Sequence, residues 1–314
     1  MLYYFAPLEG LTDRTYRRIH HKYFPGIHRY FTPFLSPTQH RALTPRECRE
    51  LPPADTLGYN AVPQLLSKVP EDFTWMAEQC AQLGYTEVNL NLGCPSGTVT
   101  AKGKGAGMLA DPDSLKRFLD GIFSSAPLPI SVKTRLGVSA AEEFPVLLDI
   151  FNRYPIRELT VHPRVRKDFY NTRVKMEVFE YALQNSRNTL CFNGNLCTAS
   201  QIAQFRAQYP QVNAVMLGRG LIGDPGMLMP GGTDRETLKQ FHNELLEAYL
   251  SEFSGARNAM SRMKEHWRYL LCRFQDSEKL GKQLRKTTDL CQFRLITQQI
   301  LCSLPMHDSL VADW

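Results

Sequence analysis

Thr189-Leu190-Cys191-Phe192-Asn193-Gly194-Asn195 and Ala214-Val215-Met216-Leu217-Gly218-Arg219-Gly220 decide the fold. Each is a short apolar run that ends in a glycine-bearing turn, and a helical stretch separates the two. Such runs, joined by helices, are how strands of a parallel sheet read when both faces are buried. Glycine turns after the last two strands are also where a (β/α)8 TIM barrel builds its phosphate site, from backbone N–H groups and a helix N-terminus.

Six earlier runs complete the pattern: Tyr3–Ala6, Tyr30–Leu35, Val62–Leu66, Glu87–Asn91, Ile130–Thr134 and Glu158–Val161. Between them the helix signals are specific. Pro70 with Glu71 and Asp72 opens a helix whose apolar face is Phe73, Met76, Ala77 and Cys80, and Gly84 closes it. Asp111 caps another that begins at Pro112 and repeats Leu115, Phe118, Leu119 and Ile122 at helical spacing. A doubly wound nucleotide fold is excluded, because no GxGxxG follows the first strand; Gly103-Lys104-Gly105-Ala106-Gly107 has the wrong spacing and follows the fourth. Past Pro230-Gly231-Gly232-Thr233 the strand signals stop. Leu238, Phe241, Leu245 and Ala248 share one helical face, and Met260, Met263, Trp267, Leu270 and Leu271 another. The expected organisation is a catalytic barrel over residues 1–230, an all-helical domain over 234–303 and a tail over 304–314.

Of the 314 residues, 43% are hydrophobic and 22% charged, which excludes disorder as the main state. No run of about 18 apolar residues exists, so no spanning helix is expected. Met1–Glu9 lacks a basic leader and reads as the first strand instead of a signal peptide. The eight cysteines contain no CxxC pair, which argues against a zinc site and a disulfide scaffold and for a reducing, cytoplasmic setting. Net charge is +6, a modest surplus, but residues 255–287 hold nine Lys and Arg against three acids. Together with the basic first 50 residues, that stretch is suited to a polyanion such as nucleic acid.

A barrel keeps its chemistry at the C-terminal ends of its strands. There this sequence is polar: Pro7, Leu8 and Glu9 after the first strand, Gln64 in the third, and Asn89 and Asn91 with Gly93-Cys94-Pro95 at the fourth. Lys133 and Arg135 end the fifth and His162 and Arg164 the sixth, while Asn193, Gly194 and Asn195 follow the seventh and Gly218 and Arg219 the eighth. Lys133 stands out, because lysine is rarely buried without a partner.

Ala6–Asp13, Asn91–Val99, Val132–Arg135, His162 with Arg164, and Gly218–Gly220 occur in the order in which they occur in the tRNA-dihydrouridine synthases, and nearly the whole chain resembles that family. The resemblance implies an FMN enzyme that reduces uridines in RNA, with tRNA the expected substrate and NADPH recharging the flavin. It implies FMN contacts from Pro7, Leu8, Glu9, Gln64, Lys133 and His162, and ribityl and phosphate contacts from Asn193, Gly194, Asn195, Gly218 and Arg219. Cys94 becomes the proton donor. Asn91, Lys102, Lys104, Arg135 and Arg164 face RNA near the pocket, and Arg262 and Lys264 belong to a helical RNA-binding region. Three positions depart from the family pattern: Leu8 stands for the usual Met, Pro163 for Gly and Asn195 for an acid.

The chemistry is coherent on its own terms. The C5=C6 bond of uracil is conjugated to the C4 carbonyl, so a hydride adds at C6 and a proton at C5. A thiol with an ordinary pKa of about 8.5 is mostly protonated at neutral pH and serves as the acid. The base must leave its stack to react. Three other readings share some of these residues: a flavin- and folate-dependent methyl transfer to RNA uridine, reduction of a free pyrimidine, and a non-catalytic RNA-binding factor. A monomer is expected, with no membrane partner.

Overall fold

The computed structural model describes residues 1–38 and 40–312. Residues 313 and 314 of the expected tail lie outside the described residues, as does Gln39. Nine short strands, all paired in parallel, carry the fold: β1 (Leu2–Phe5), β2 (Arg29–Phe31), β3 (Ala61–Val62), β4 (Gln64–Leu65), β5 (Val88–Leu92), β6 (Ile130–Arg135), β7 (Leu159–His162), β8 (Leu190–Phe192) and β9 (Ala214–Leu217). Their order in the sheet is β3-β2-β1-β9-β8-β7-β6-β5-β4. β3 and β4 are the two halves of the expected third strand, parted at Pro63. Proline has no N–H to give the ladder, but its carbonyl still accepts from the Asn89 N–H at 2.8 Å. One half pairs with β2 and the other with β5, so the strand interrupted at Pro63 closes the sheet into a barrel. Every expected strand is present.

The second strand is shorter than its apolar run. Pro33 ends it, and Leu35 returns only as an isolated bridge to Leu65. β5, β7, β8 and β9 are buried along their whole length; β8 and β9 accordingly read as continuous apolar runs, whereas β5 and β7 alternate apolar with polar residues because Asn89, Asn91, Thr160 and His162 are buried too. One core cluster joins Tyr4, Ala6, Phe31, Val62, Cys191, Ala214 and Met216. On the outside, the Pro70–Gln82 helix buries Phe73, Met76, Ala77 and Cys80, and the Pro112–Ser125 helix buries Leu115, Phe118, Leu119 and Ile122. Asp111 caps the latter by accepting from the Ser114 N–H at 3.1 Å.

The chain divides into two compact units. The first comprises residues 1–7, 28–195 and 210–216; the second comprises 8–27, 196–209 and 217–314. Helices Arg235–Glu252, Ala256–Leu270, Glu278–Lys286 and Leu290–Ser303 make up most of the second. The first of these turns Leu238, Phe241, His242, Leu245, Leu246 and Tyr249 inward; Ala248, expected on that face, is only half-buried and Tyr249 takes its place. Within the same unit Tyr16, on the Arg14–Tyr23 helix, stacks on His266 at 4.7 Å and 7°. No described helix is long and apolar enough to cross a membrane.

Candidate active site

In the first unit the polar strand ends form one connected set around Cys94. Asn91 is the last inward-facing amide of β5, and its Oδ1 accepts from the N–H groups of Gly93 (3.0 Å) and Cys94 (2.9 Å). Arg135, from the neighbouring β6, holds the same loop by donating from Nε to the Gly93 carbonyl at 3.0 Å. Gly105 closes on it from the other side. Its φ is +56°, and a Cβ there meets the Cys94 carbonyl at 3.0 Å and the Cys94 Cβ at 3.1 Å. The glycines of Gly103–Gly107, wrongly spaced for a nucleotide, thus let the chain pack against the cysteine. The thiol sits half-buried on a loop fixed from several directions.

Next to this loop, Lys133 is the register partner of Asn91. It makes no hydrogen bond or ion pair to any described residue. Burial, and then the Arg135 cation, pull its ammonium down to about 7. A half-buried cation without a partner among the described residues is costly, and an electron-rich ring edge is the kind of group that would relieve it. His162, 5% exposed at the end of β7, pairs in register with Arg135. Tyr170 lies beside both, its ring 5.9 Å from the imidazole and 5.4 Å from the Arg135 guanidinium carbon.

Arg135 and Arg164, expected to face RNA, are each 1% exposed. Beyond Gly93, Arg135 donates to the carbonyls of Val165 and Phe169, both at 2.9 Å. Arg164 donates twice to the Thr172 carbonyl, at 2.8 and 2.5 Å, and from Nη1 to His162 at 2.9 Å. Both guanidiniums hold the loops that follow β5 and β7. Lys102 is exposed, whereas Lys104 donates to the Ser36 hydroxyl at 2.9 Å. Asn193 donates to the Met216 carbonyl at 2.7 Å, tying the end of β8 to β9; Gly194 is half-buried and Asn195 exposed. Pro7 is half-buried.

The other expected residues belong to the second unit. Leu8 and Glu9 open a tight turn in which the Leu8 carbonyl accepts from Leu11 and Thr12, with Gly10 at φ +75°. Gly218 and Arg219 begin the short Arg219–Gly223 helix, where a Cβ on Gly220 meets the Cys197 Cα at 2.8 Å. The segments after β8 and β9 therefore touch at the level of the backbone, as two turns sharing one anion require. Arg262 donates to the Gly10 carbonyl and lies 3.6 Å from Asp13. Lys264 donates to the carbonyls of Thr287 (2.5 Å) and Arg285 (3.3 Å), joining two helices.

The sequence reading named Asn89 among the polar residues of the fourth strand but gave it no role, and it missed Ser131 and Tyr170. Asn89 and Asn91 are two apart on one strand and so share a face, which was the available signal for a shared role.

The model of the family described as dihydrouridine synthase matches residues 4–299. The tRNA-dihydrouridine synthase B of Pasteurella multocida (strain Pm70) is 26% identical over 250 residues, which cover 79% of this chain and 73% of that protein. A probable tRNA-dihydrouridine synthase of Staphylococcus aureus (strain Mu50 / ATCC 700699) is 28% identical over 240 residues, or 73% and 72% of the two chains. Among solved structures, an old yellow enzyme homologue from Zymomonas mobilis superposes with a TM-score of 0.51 at 12% identity, over 74% of this chain and 91% of that one. A morphinone reductase does so with a TM-score of 0.51 at 12% identity, over 72% and 85%. At such identities the likeness is one of fold.

Proposed function

The chain belongs to the dihydrouridine synthase family, and from that premise we propose that it reduces the C5=C6 bond of uridines in tRNA, using bound FMN that NADPH recharges. The observation that carries the reading is Cys94, half-buried on a loop pinned by Asn91, Arg135 and Gly105, beside a Lys133 ammonium that has no partner of its own.

The residues suit a flavin phosphate. Lys133 offers charge to an electron-rich ring edge, and Gln64, His162, Pro7, Leu8 and Glu9 are the groups assigned to the same ring. Asn193, Gly194, Asn195, Gly218 and Arg219 are assigned to the ribityl chain and phosphate, which glycine turns and a helix start favour. FMN, when bound and reduced, supplies the hydride for C6. Cys94 holds a proton on Sγ for C5. Asn91 and Arg135 fix the direction of that Sγ, because the loop cannot turn without breaking their hydrogen bonds. Lys133 stabilises negative charge on the uracil oxygens as the proton is delivered, a preorganised electrostatic role. Asn91, with the exposed Lys102 and with Lys104, is assigned to the RNA; Arg262 and Lys264 mark the helical region that grips it. None of the eight described cysteines is in a disulfide, which supports a reducing cytoplasmic setting. The enzyme is read as a monomer.

Nucleoside mass spectrometry on fractionated tRNA and rRNA, from cells lacking the gene and from complemented cells, tests the reading. Dihydrouridine missing from tRNA, restored by the wild type and not by Cys94→Ala, is the expected result. Unchanged dihydrouridine in every fraction overturns it. A missing methyluridine would point to methyl transfer instead.

A further inference from the structure

Four buried side chains run as one chain of hydrogen bonds from the barrel mouth at Asn91 down to the second residues of β5 and β6, and two of them have no part in the site as described so far. Gln64 on β4, Asn89 on β5 and Ser131 on β6 are register partners in sequence, and Asn91 is two residues on from Asn89. None is more than 7% exposed. The two ends of a side-chain amide are nearly the same shape, so its orientation follows from what each end meets. The Asn91 end that meets the Gly93 and Cys94 N–H groups must be the oxygen, since a backbone N–H only donates. Its Nδ2 therefore donates to Gln64 Oε1, at 2.7 Å. Gln64 Nε2 donates in turn to Asn89 Oδ1 at 2.8 Å, and Asn89 Nδ2 to Ser131 Oγ at 3.0 Å. Every bond points the same way, away from Cys94.

We propose that Asn89 and Ser131 are positioning residues that lock the Gln64 amide, leaving one N–H and one oxygen lone pair of Gln64 in fixed directions for the ligand of the barrel mouth. Without Asn89, only the bond from Asn91 orients Gln64, and its Nε2 loses a buried acceptor. The free N–H of Gln64 suits a carbonyl or ring-nitrogen acceptor on a heterocycle, whether that belongs to the flavin or to the uracil. The assignment of Gln64 to a ligand rests on the function proposed above; the locking of its amide does not.

The variants are Asn89→Leu, which removes both bonds at similar size, and Asn89→Asp, which still accepts from Gln64 and can accept from the Ser131 hydroxyl. Ser131→Ala removes only the last acceptor and serves if Asn89→Leu does not fold. The first readout is the side-chain amide resonances of Gln64 in the flavin-free protein. They are expected distinct and slowly exchanging in the wild type and in Asn89→Asp, and averaged or fast-exchanging in Asn89→Leu and, more weakly, in Ser131→Ala. The second is FMN titration with the visible band of the bound flavin. About tenfold weaker binding and a shifted band are expected for Asn89→Leu, the scale of one buried hydrogen bond, with recovery in Asn89→Asp. Normal flavin binding with a loss of discrimination between uridine and cytidine in RNA would assign the acceptor to the base instead. Unchanged Gln64 resonances in Asn89→Leu and Ser131→Ala overturn the proposal, as does an Asn89→Asp protein that behaves like Asn89→Leu. If the wild type binds no flavin, the function is misread, while the amide resonances still decide the locking.

Discussion

Arg164 Nη1 donates to Nε2 of His162 at 2.9 Å, two residues away on the loop that leaves β7. Guanidinium has no lone pair to give, so Nε2 is the acceptor and the imidazole carries its proton on Nδ1. Arg164 therefore aims the His162 ring, while its other two nitrogens hold the Thr172 carbonyl.

This arrangement predicts that Arg164 and Arg135 do not pay for RNA binding through phosphate contacts. A residue that neutralises a phosphate adds about 0.9 to the salt slope of binding. Arg164→Met and Arg135→Met are expected to lower turnover at least tenfold and to leave the slope of log K against log salt unchanged. Lys102→Ala, at an exposed site, is expected to reduce the slope by about one while sparing flavin binding. Salt titrations of tRNA affinity measure both. A slope reduced by either arginine variant would return that residue to the RNA surface.

Lys133 gives the site a pH dependence. Burial first, then Arg135, lower its ammonium to about 7 from the ordinary 10.5, so the free protein holds this charge only below about pH 7. A flavin edge that favours the charged form will bind with proton uptake above that pH. FMN affinity is expected to fall as pH rises past 7, by up to about tenfold per pH unit while the bound form stays protonated. Calorimetry at pH 8 in buffers of different protonation enthalpy reads the uptake directly. Lys133→Met should weaken binding and abolish the uptake; pH-independent binding in the wild type would remove Lys133 from the flavin site.

The fold was legible because a buried parallel strand announces itself as an apolar run, and eight such runs with capped helices between them leave few alternatives. What misled was proline: Pro63 divides a strand and Pro33 shortens one, although the side chains around each remain strand-like. At the site, position was legible but employment was not. Arg135 and Arg164 stand where the strand ends put them, yet a sequence does not say which carbonyls a guanidinium meets once loops have closed, and here it meets those of Gly93, Val165, Phe169 and Thr172. Asn89 was legible as a polar residue of its strand but not in its role, because its importance lies in register, with Gln64 on one side and Ser131 on the other.

The second unit buries three neutral histidines. Burial pulls His20 to about 3 and His242 and His266 to about 4. The rings of His20 and His266 meet the Pro225 and Leu11 carbonyls, and His242 Nε2 accepts from the Trp267 indole at 3.1 Å. In the unfolded chain each takes a proton below about 6.5. Between pH 6.5 and 4 the unfolded state thus binds more protons, so this stability is complete above 6.5 and is lost as pH falls. With three groups the slope approaches about 4 kcal/mol per pH unit. The midpoint of denaturant melts followed by helical circular dichroism is expected to fall as pH drops from 6.5 to 4, and His242→Gln to make that dependence shallower. A melting point flat from pH 7 to 5 would contradict this.

Gly105 offers the sharpest separation of binding from chemistry. Its φ of +56° strains any side chain there, and a Cβ would sit 3.0 Å from the Cys94 carbonyl and 3.1 Å from the Cys94 Cβ, so that these neighbours must give by a few tenths of an ångström. Gly105→Ala carries a backbone penalty of about 1–2 kcal/mol for the left-handed conformation, and the clash falls on backbone, which must shift and carry the thiol with it. Since about 1 Å of misplacement at a reacting group costs about a hundredfold in rate, a shift of part of that is expected to cost about tenfold. Flavin binding rests on other residues, so Gly105→Ala is expected to stay yellow, to bleach with NADPH at the wild-type rate and to lose most of its reduction of tRNA. Cys94→Ala should share that profile without the drop in melting temperature. If Gly105→Ala instead reduced tRNA normally, the loop would be free to adjust, and the fixed direction of the Cys94 thiol would not be what the reaction depends on.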